Sequence, residues 1–160
     1  MTYDFKIAAA DAATMYKDLA SALQGLVTGE SDAIANMANA SALIFETLPD
    51  LNWVGFYRNV GDELVLGPFQ GRPACIRIKF GEGVCGAAAA TREVQRVEDV
   101  HAFPGHIACD SASNSEIVVP LIRDGELLGV LDIDSPKHAR FSEEDEAGVV
   151  KLGEILSRVL

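Results

Sequence analysis

Residues 115–136 read SEIVVPLIRDGELLGVLDIDSP, two apolar runs joined by Asp124-Gly125. An Asp-Gly pair between apolar runs is among the strongest short-range hairpin signals, because both turn positions need positive φ. The stretch therefore reads as two antiparallel strands, 115–123 and 126–134. Alternation along the second strand puts Leu131 and Ile133 on one face and Asp132 and Asp134 on the other. Glu116 lies near the start of the partner strand. A strict two-residue turn would set Glu116 opposite Ile133, on the wrong face, so convergence of all three acids requires a bulge, an odd-length loop or frayed strand ends. One reading of these acids is a solvated outer face. Against it, Asp is poorly suited to strands and two so close repel each other. Crowded carboxylates raise one another's pKa, so one can keep its proton near neutrality and donate it to a substrate oxygen.

Outward from the hairpin, the segment 51–60 alternates as a strand, and Gly61-Asp62 turns it into a return strand at 63–66. A third strand fits 74–80. The glycine-rich turn Gly81-Glu82-Gly83-Val84-Cys85-Gly86 leads into a short helix at 87–91, and another strand follows near 95–97. Residues 98–112, with Pro104, Gly105, His101, His106 and Cys109, form a 15-residue connection long enough to be a functional loop. Before the strands, Met15, Leu19, Ala22, Leu23 and Leu26 mark one amphipathic helix over 11–27. Ser31 and Asp32 open a second, with Ile34, Met37, Ala38, Ala42 and Phe45 as its stripe and Pro49 as its stop. At the end, Ser142 caps a helix with Glu143, Glu144 and Asp145 in its first turn and Val149, Leu152, Leu156 and Val159 as its packing face. The order predicts a single α+β domain over 1–160, with about six antiparallel strands and the N- and C-terminal helices on one face.

Composition agrees. The chain has 160 residues, enough for a real core without staples, and 49% of them are hydrophobic against 23% charged. Thirteen Lys and Arg against 24 Asp and Glu leave a formal charge of −11, which repels nucleic acid backbones and anionic membranes. The start, MTYDFKIAAADAATMYKD, carries Asp4 and Asp11 where a signal peptide would be basic and then apolar. No stretch approaches the roughly 20 apolar residues of a spanning helix, so the expectation is a soluble cytoplasmic protein.

Three cysteines, Cys75, Cys85 and Cys109, are an odd count that argues against a disulfide framework in a reducing compartment. They are buried hydrophobes, metal ligands or reactive thiols. No Cys-x-x-Cys pair or other compact ligand spacing favours a metal. Cys109 lies in a small polar segment, 106–115, unlike a core strand, so its thiol is accessible. Nearby acids would raise its pKa, and activation would have to come from a helix terminus, a histidine such as His101 or His106, or bound substrate. Trp53, Gly55 and Tyr57 share one strand face, either as core or as an aromatic wall for a thioether or sulfoxide methyl group. Gly81-Glu82-Gly83 before a helix can direct backbone N–H groups at a small carboxylate.

Together, Gly67-Pro68-Phe69-Gln70-Gly71, Ala74-Cys75, 81–86, 106–110, 115–120 and 129–136 resemble the free methionine-(R)-sulfoxide reductases, stand-alone GAF domains. The resemblance implies a GAF fold, Cys109 as nucleophile, Cys75 as the thiol that resolves the intermediate, and Cys85 as an alternative or auxiliary thiol. It further implies that Glu116, Asp132 and Asp134 line the pocket and that Trp53 and Tyr57 form its aromatic wall. The chemistry implied is attack of Cys109 on the sulfoxide sulfur while a protonated carboxyl of Glu116 or Asp134 polarises the oxygen. A sulfenic acid, an intramolecular disulfide and recycling by thioredoxin follow. No metal, nucleotide or flavin is implied, and a homodimer would fit the family. Two other readings use parts of the pattern. A GAF sensor module would not need spaced thiols beside acids, and a thiol peroxidase leaves the acids unexplained.

Overall fold

A computed structural model describes residues 11–160 except residue 108. The leader argument on the first residues therefore falls largely outside the described part. Helices α1 (Ala12–Val27) and α2 (Ala33–Thr47) precede strands β1 (Trp53–Asn59), β2 (Glu63–Gly71) and β3 (Arg77–Lys79). Helix α3 (Gly83–Thr91), β4 (Gln95–Val97), a single 3₁₀ turn at Val100–Ala102, β5 (Ser115–Arg123), β6 (Glu126–Ser135) and α4 (Glu143–Ser157) complete the chain. The six strands form one antiparallel sheet in the order β3-β2-β1-β6-β5-β4. The fold is α+β, as the element order predicts. No helix among the described residues is long and apolar enough to cross a membrane.

Alternation along the central strands divides the molecule into two apolar clusters. Val54 and Phe56 of β1, Ile117, Val119 and Leu121 of β5, and Leu131 and Ile133 of β6 face α1, α2 and α4. On that side Leu19, Leu23, Ile44, Leu152 and Leu156 are fully buried, each contributing about 1.5–3 kcal/mol over an exposed position. Trp53, Tyr57, Val118 and Val130 face the other way, where α3 packs with Val84, Cys85, Ala88 and Ala89. So α1, α2 and α4 share one face as expected, while α3 lies alone on the opposite one.

Local chemistry sets the ends. Asp11 and Asp32 cap α1 and α2 by accepting from the Thr14 and Ala35 N–H groups. Ser142 and Asp145 form a reciprocal capping box on α4. Asp145 also accepts from Tyr16 Oη at 2.8 Å and from Arg140 at 3.1 Å, pinning α1 to the start of α4. Four expectations shift. The expected stripe of α2 turns outward except at Met37: Ile34 is 62% exposed, Phe45 37%, and Ala38 and Ala42 are also exposed. The buried face is instead Asn36, Met37, Ala40, Ser41, Leu43 and Ile44. Asn36 and Ser41 go inside because backbone carbonyls of Glu30 and Met37 accept from them. The return strand runs on to Gly71, past a bulge opposite Phe56; the third strand contracts to Arg77–Lys79; and the short helix starts four residues early, at Gly83.

Candidate active site

The register of the decisive hairpin resolves the question its sequence left open. Arg123 pairs Glu126 and Ile122 pairs Leu127, but Leu121 pairs Gly129, so Leu128 is an extra residue. That bulge moves every later pair by one and sets Glu116 opposite Asp134 and Val118 opposite Asp132. On the other side of β6, Trp53 is opposite Asp134 and Gly55 opposite Asp132. The three acids and the aromatic wall therefore share the face that looks toward α3. Glu116 is 8% exposed and Asp132 5%, while Oδ1 of Asp132 and Oδ1 of Asp134 are buried without a hydrogen-bond partner among the described residues.

Burial is the main reason all three carboxyls hold protons more tightly than usual. It pushes Asp132 up to about 6. Glu116 is raised well above the ordinary range by burial and then by the charges of Asp132 and Asp134. Asp134 is raised by burial and by Asp132, with Ser113 acting in the opposite direction. The cluster thus combines a proton donor with negative charge at neutral pH.

Two of the three thiols are joined. Cys75, on the loop before β3, and Cys109, on the loop before β5, form a disulfide across 34 residues, with Cα atoms 5.4 Å apart. Cys85 is free and 4% exposed; its Sγ lies 3.8 Å from Glu116 Oε1, and burial followed by the charge of Asp132 pushes its thiol well up. The sequence placed Cys85 in a glycine turn and gave no sign that it would face the acids. What puts it there is the early start of α3.

A partly open cleft lies over these groups. Trp53, Tyr57, Cys85, Cys109, Glu116, Asp132 and Asp134 all line it. Cys75 is not among the lining residues, although its neighbour Ala74 is. The wall is wider than expected: Trp53 stacks on Tyr57 at 5.9 Å and on Phe69 at 5.2 Å between ring centroids. A Cβ on Gly55 would fall 2.6 Å from the Trp53 ring, so only glycine leaves room for that stack. Trp53 Nε1 donates to Arg72 O and Tyr57 Oη to Cys75 O, tying the wall to the loop that carries Cys75.

Further residues that sequence reasoning missed brace the Cys109 loop. Asn52 Nδ2 donates to Asp110 Oδ2 and to Ser113 Oγ, both at 3.0 Å, and Asp110 Oδ1 accepts from the Ala112 N–H. His106 lines the cleft and burial lowers its pKa; His101 is outside it, its Nδ1 3.1 Å from Asp99. At the glycine turn, Gly81 N–H donates to Gly86 O and Glu82 N–H to Lys79 O. The first N–H groups of α3, from Gly83 to Cys85, border the cleft, and Glu82 supplies no side-chain cap. An uncapped helix start beside buried acids can hold a carboxylate on one side and an ammonium group on the other.

Comparison with known proteins adds four findings. A family model described as GAF domain matches residues 7–160. The chain is 55% identical over 145 residues to the free methionine-R-sulfoxide reductase of Escherichia coli (strain K12), covering 91% of this chain and 88% of that one. It is 46% identical over 143 residues to the protein of the same name from Saccharomyces cerevisiae, covering 84% and 79%. Among solved structures, free methionine-R-sulfoxide reductase from Neisseria meningitidis in complex with its substrate has a TM-score of 0.94 at 45% identity, covering 98% of this chain and 95% of that one.

Proposed function

The chain belongs to the GAF-domain family and, within it, to the free methionine-R-sulfoxide reductases, and from that premise we propose that it reduces free methionine (R)-sulfoxide to methionine. The observation that carries this reading is the Cys75–Cys109 disulfide at a cleft whose floor holds the buried Glu116 and Asp132 and the half-buried Asp134. Sulfoxide reduction needs an accessible thiol, an acid for the departing oxygen and a second thiol, and these groups meet here.

Cys109 attacks the sulfoxide sulfur while the carboxyl of Glu116, or of Asp134, delivers its proton to the oxygen. Methionine leaves and Cys109 becomes a sulfenic acid. The Cys75 thiol then displaces water from that sulfenic acid, forming the disulfide, and an external dithiol of the thioredoxin class reduces it again. Cys85 serves as an auxiliary thiol beside Glu116. Ionised Asp132 meets the substrate ammonium group, and the N–H groups at the start of α3 meet its carboxylate. A site that claims both charged ends rejects methionine sulfoxide inside a peptide, whose ends are amides. Trp53 and Tyr57 receive the side-chain methyl. The whole chain, 1–160, acts as one such domain, in a cytoplasm that supplies the dithiol.

The test is thioredoxin-coupled turnover of free (R)-sulfoxide, the (S) epimer and a peptide-bound sulfoxide. Wild type turns over only the first. Cys109→Ser abolishes turnover, and Cys75→Ser releases about one methionine per chain and then stalls. Glu116→Gln slows that single release by about 10²-fold or more. No turnover of the free (R)-sulfoxide by wild type refutes the reading, and turnover by Cys109→Ser refutes the nucleophile.

A further inference from the structure

The cleft is rich in acids, and in the absence of substrate they have no cation to meet. Among the described residues, five carboxyl side chains line it and no lysine or arginine does. At its floor, one ligand atom each from Cys85, Glu116 and Asp132 lie within 4.8 Å of one another, all three residues being buried. Asp132, 5% exposed, has a buried Oδ1 with no hydrogen-bond partner among the described residues, which is a costly state for a buried oxygen. We propose that Cys85, Glu116 and Asp132 form a binding site for a thiophilic divalent cation of the zinc class, which occupies the floor of the cleft and excludes the substrate.

The geometry suits such an ion. Tetrahedral zinc, with about 2.3 Å to sulfur and about 2.0 Å to oxygen, holds a sulfur and an oxygen ligand about 3.5 Å apart. Cys85 Sγ and Glu116 Oε1 are 3.8 Å apart already. Three protein ligands leave the fourth position to water, open toward the cleft. The donor set selects among metals: a thiolate with two carboxylates suits Zn²⁺, Co²⁺ or Cd²⁺, whereas Mg²⁺ and Ca²⁺ require six or more oxygens. On binding, the Cys85 S–H bond breaks and an S–metal bond forms. The thiol proton, with any proton held by Glu116 or Asp132, passes to solvent, and no electron is transferred. The aspartate that meets the ammonium group in the reaction proposed above is then a metal ligand, so cation and substrate cannot share the floor. That exclusion rests on the proposed function; the metal site itself does not.

Cobalt titration of the oxidised protein isolates the site, because closing Cys75–Cys109 leaves Cys85 as the single thiol in the chain. The expected result is a sulfur-to-cobalt charge-transfer absorption that saturates at one Co²⁺ per chain and is lost on adding Zn²⁺. Cys85→Ser abolishes that band, and Asp132→Asn, checked for folding by circular dichroism, weakens binding by about tenfold or more. Absence of the band at millimolar Co²⁺, or cobalt absorption of the same strength in Cys85→Ser, overturns the proposal. The surface group Asp99, His101 and His138 has no sulfur, so cobalt held there gives d–d bands alone, and that outcome also overturns it. Free methionine sulfoxide is expected to weaken cobalt binding; a protein that turns over the sulfoxide yet binds Co²⁺ equally well in its presence refutes the exclusion. A protein that binds Co²⁺ through Cys85 but turns over no sulfoxide refutes the function and leaves the metal site standing.

Discussion

Replacing Asp132 with Asn is expected to make the protein harder to unfold and slower as an enzyme. Burial pushes Asp132 up to about 6 in the folded chain, against 3.8 for an ordinary aspartate. Between those values the folded state binds more protons than the unfolded one, so stability falls as pH rises, the reverse of a salt-bridged aspartate. The raised value corresponds to about (6 − 3.8) × 1.36 ≈ 3 kcal/mol of lost stability, fully present above pH 6 and about half present at pH 5. Asn removes that loss but leaves a buried amide with too few partners, at about 1–2 kcal/mol. The net gain at pH 8 is about 1–2 kcal/mol, or about 2–8 °C in Tm for a domain of this size. Loss of the Asp132 charge also relieves Glu116 and Asp134, which acts in the same direction. Urea unfolding of the oxidised wild type and variant at pH 5 and pH 8 measures both numbers. The advantage of the variant should be about 1–2 kcal/mol larger at pH 8. A variant less stable than wild type at pH 8, or an advantage equal at the two pH values, refutes the claim that this acid is held at a cost to the fold.

Two further tests address the scaffold. Tyr16→Phe removes the hydroxyl that donates to Asp145 at 2.8 Å and keeps the buried ring, so urea unfolding should show a loss of about 1.5–3 kcal/mol with turnover unchanged; a loss under about 0.5 kcal/mol would show that the contact is not holding α1 to α4. Gly129→Val puts a side chain against the Tyr57 carbonyl oxygen and 3.0 Å from Arg58 Cα, so β6 must move off β1. Stability should fall by about 1–3 kcal/mol and methionine release should fall with it, whereas full activity at wild-type stability would mean that the two strands need not approach so closely.

Much of this was legible in the chain, and each miss has a physical cause. The Asp124-Gly125 turn and the alternation around Asp132 and Asp134 placed the central hairpin correctly. Its bulge could have been suspected from Gly129, since a glycine inside a strand often marks one, but nothing in the sequence says on which side of the turn the extra residue falls. In α2, alanines occupy every face, so the apolar period has no firm phase. Hydrogen bonds from Asn36 and Ser41 to backbone carbonyls then decide which side turns inward. The meeting of Cys85 with Glu116 was invisible for a different reason. It depends on how α3 docks across the sheet, a contact between residues 31 apart that no local pattern encodes.

The Cys75–Cys109 bond has a consequence for how long the protein lasts. A cross-link spanning 34 residues removes about 4 kcal/mol worth of disorder from the unfolded chain in the chain-entropy account. In the proposed cycle the form that waits for electrons is therefore also the form least prone to open, and the one that proteases and aggregation reach least readily. In that proposed cycle, a failing supply of reducing power leaves the protein in its most durable state, a reserve that a dithiol returns to work.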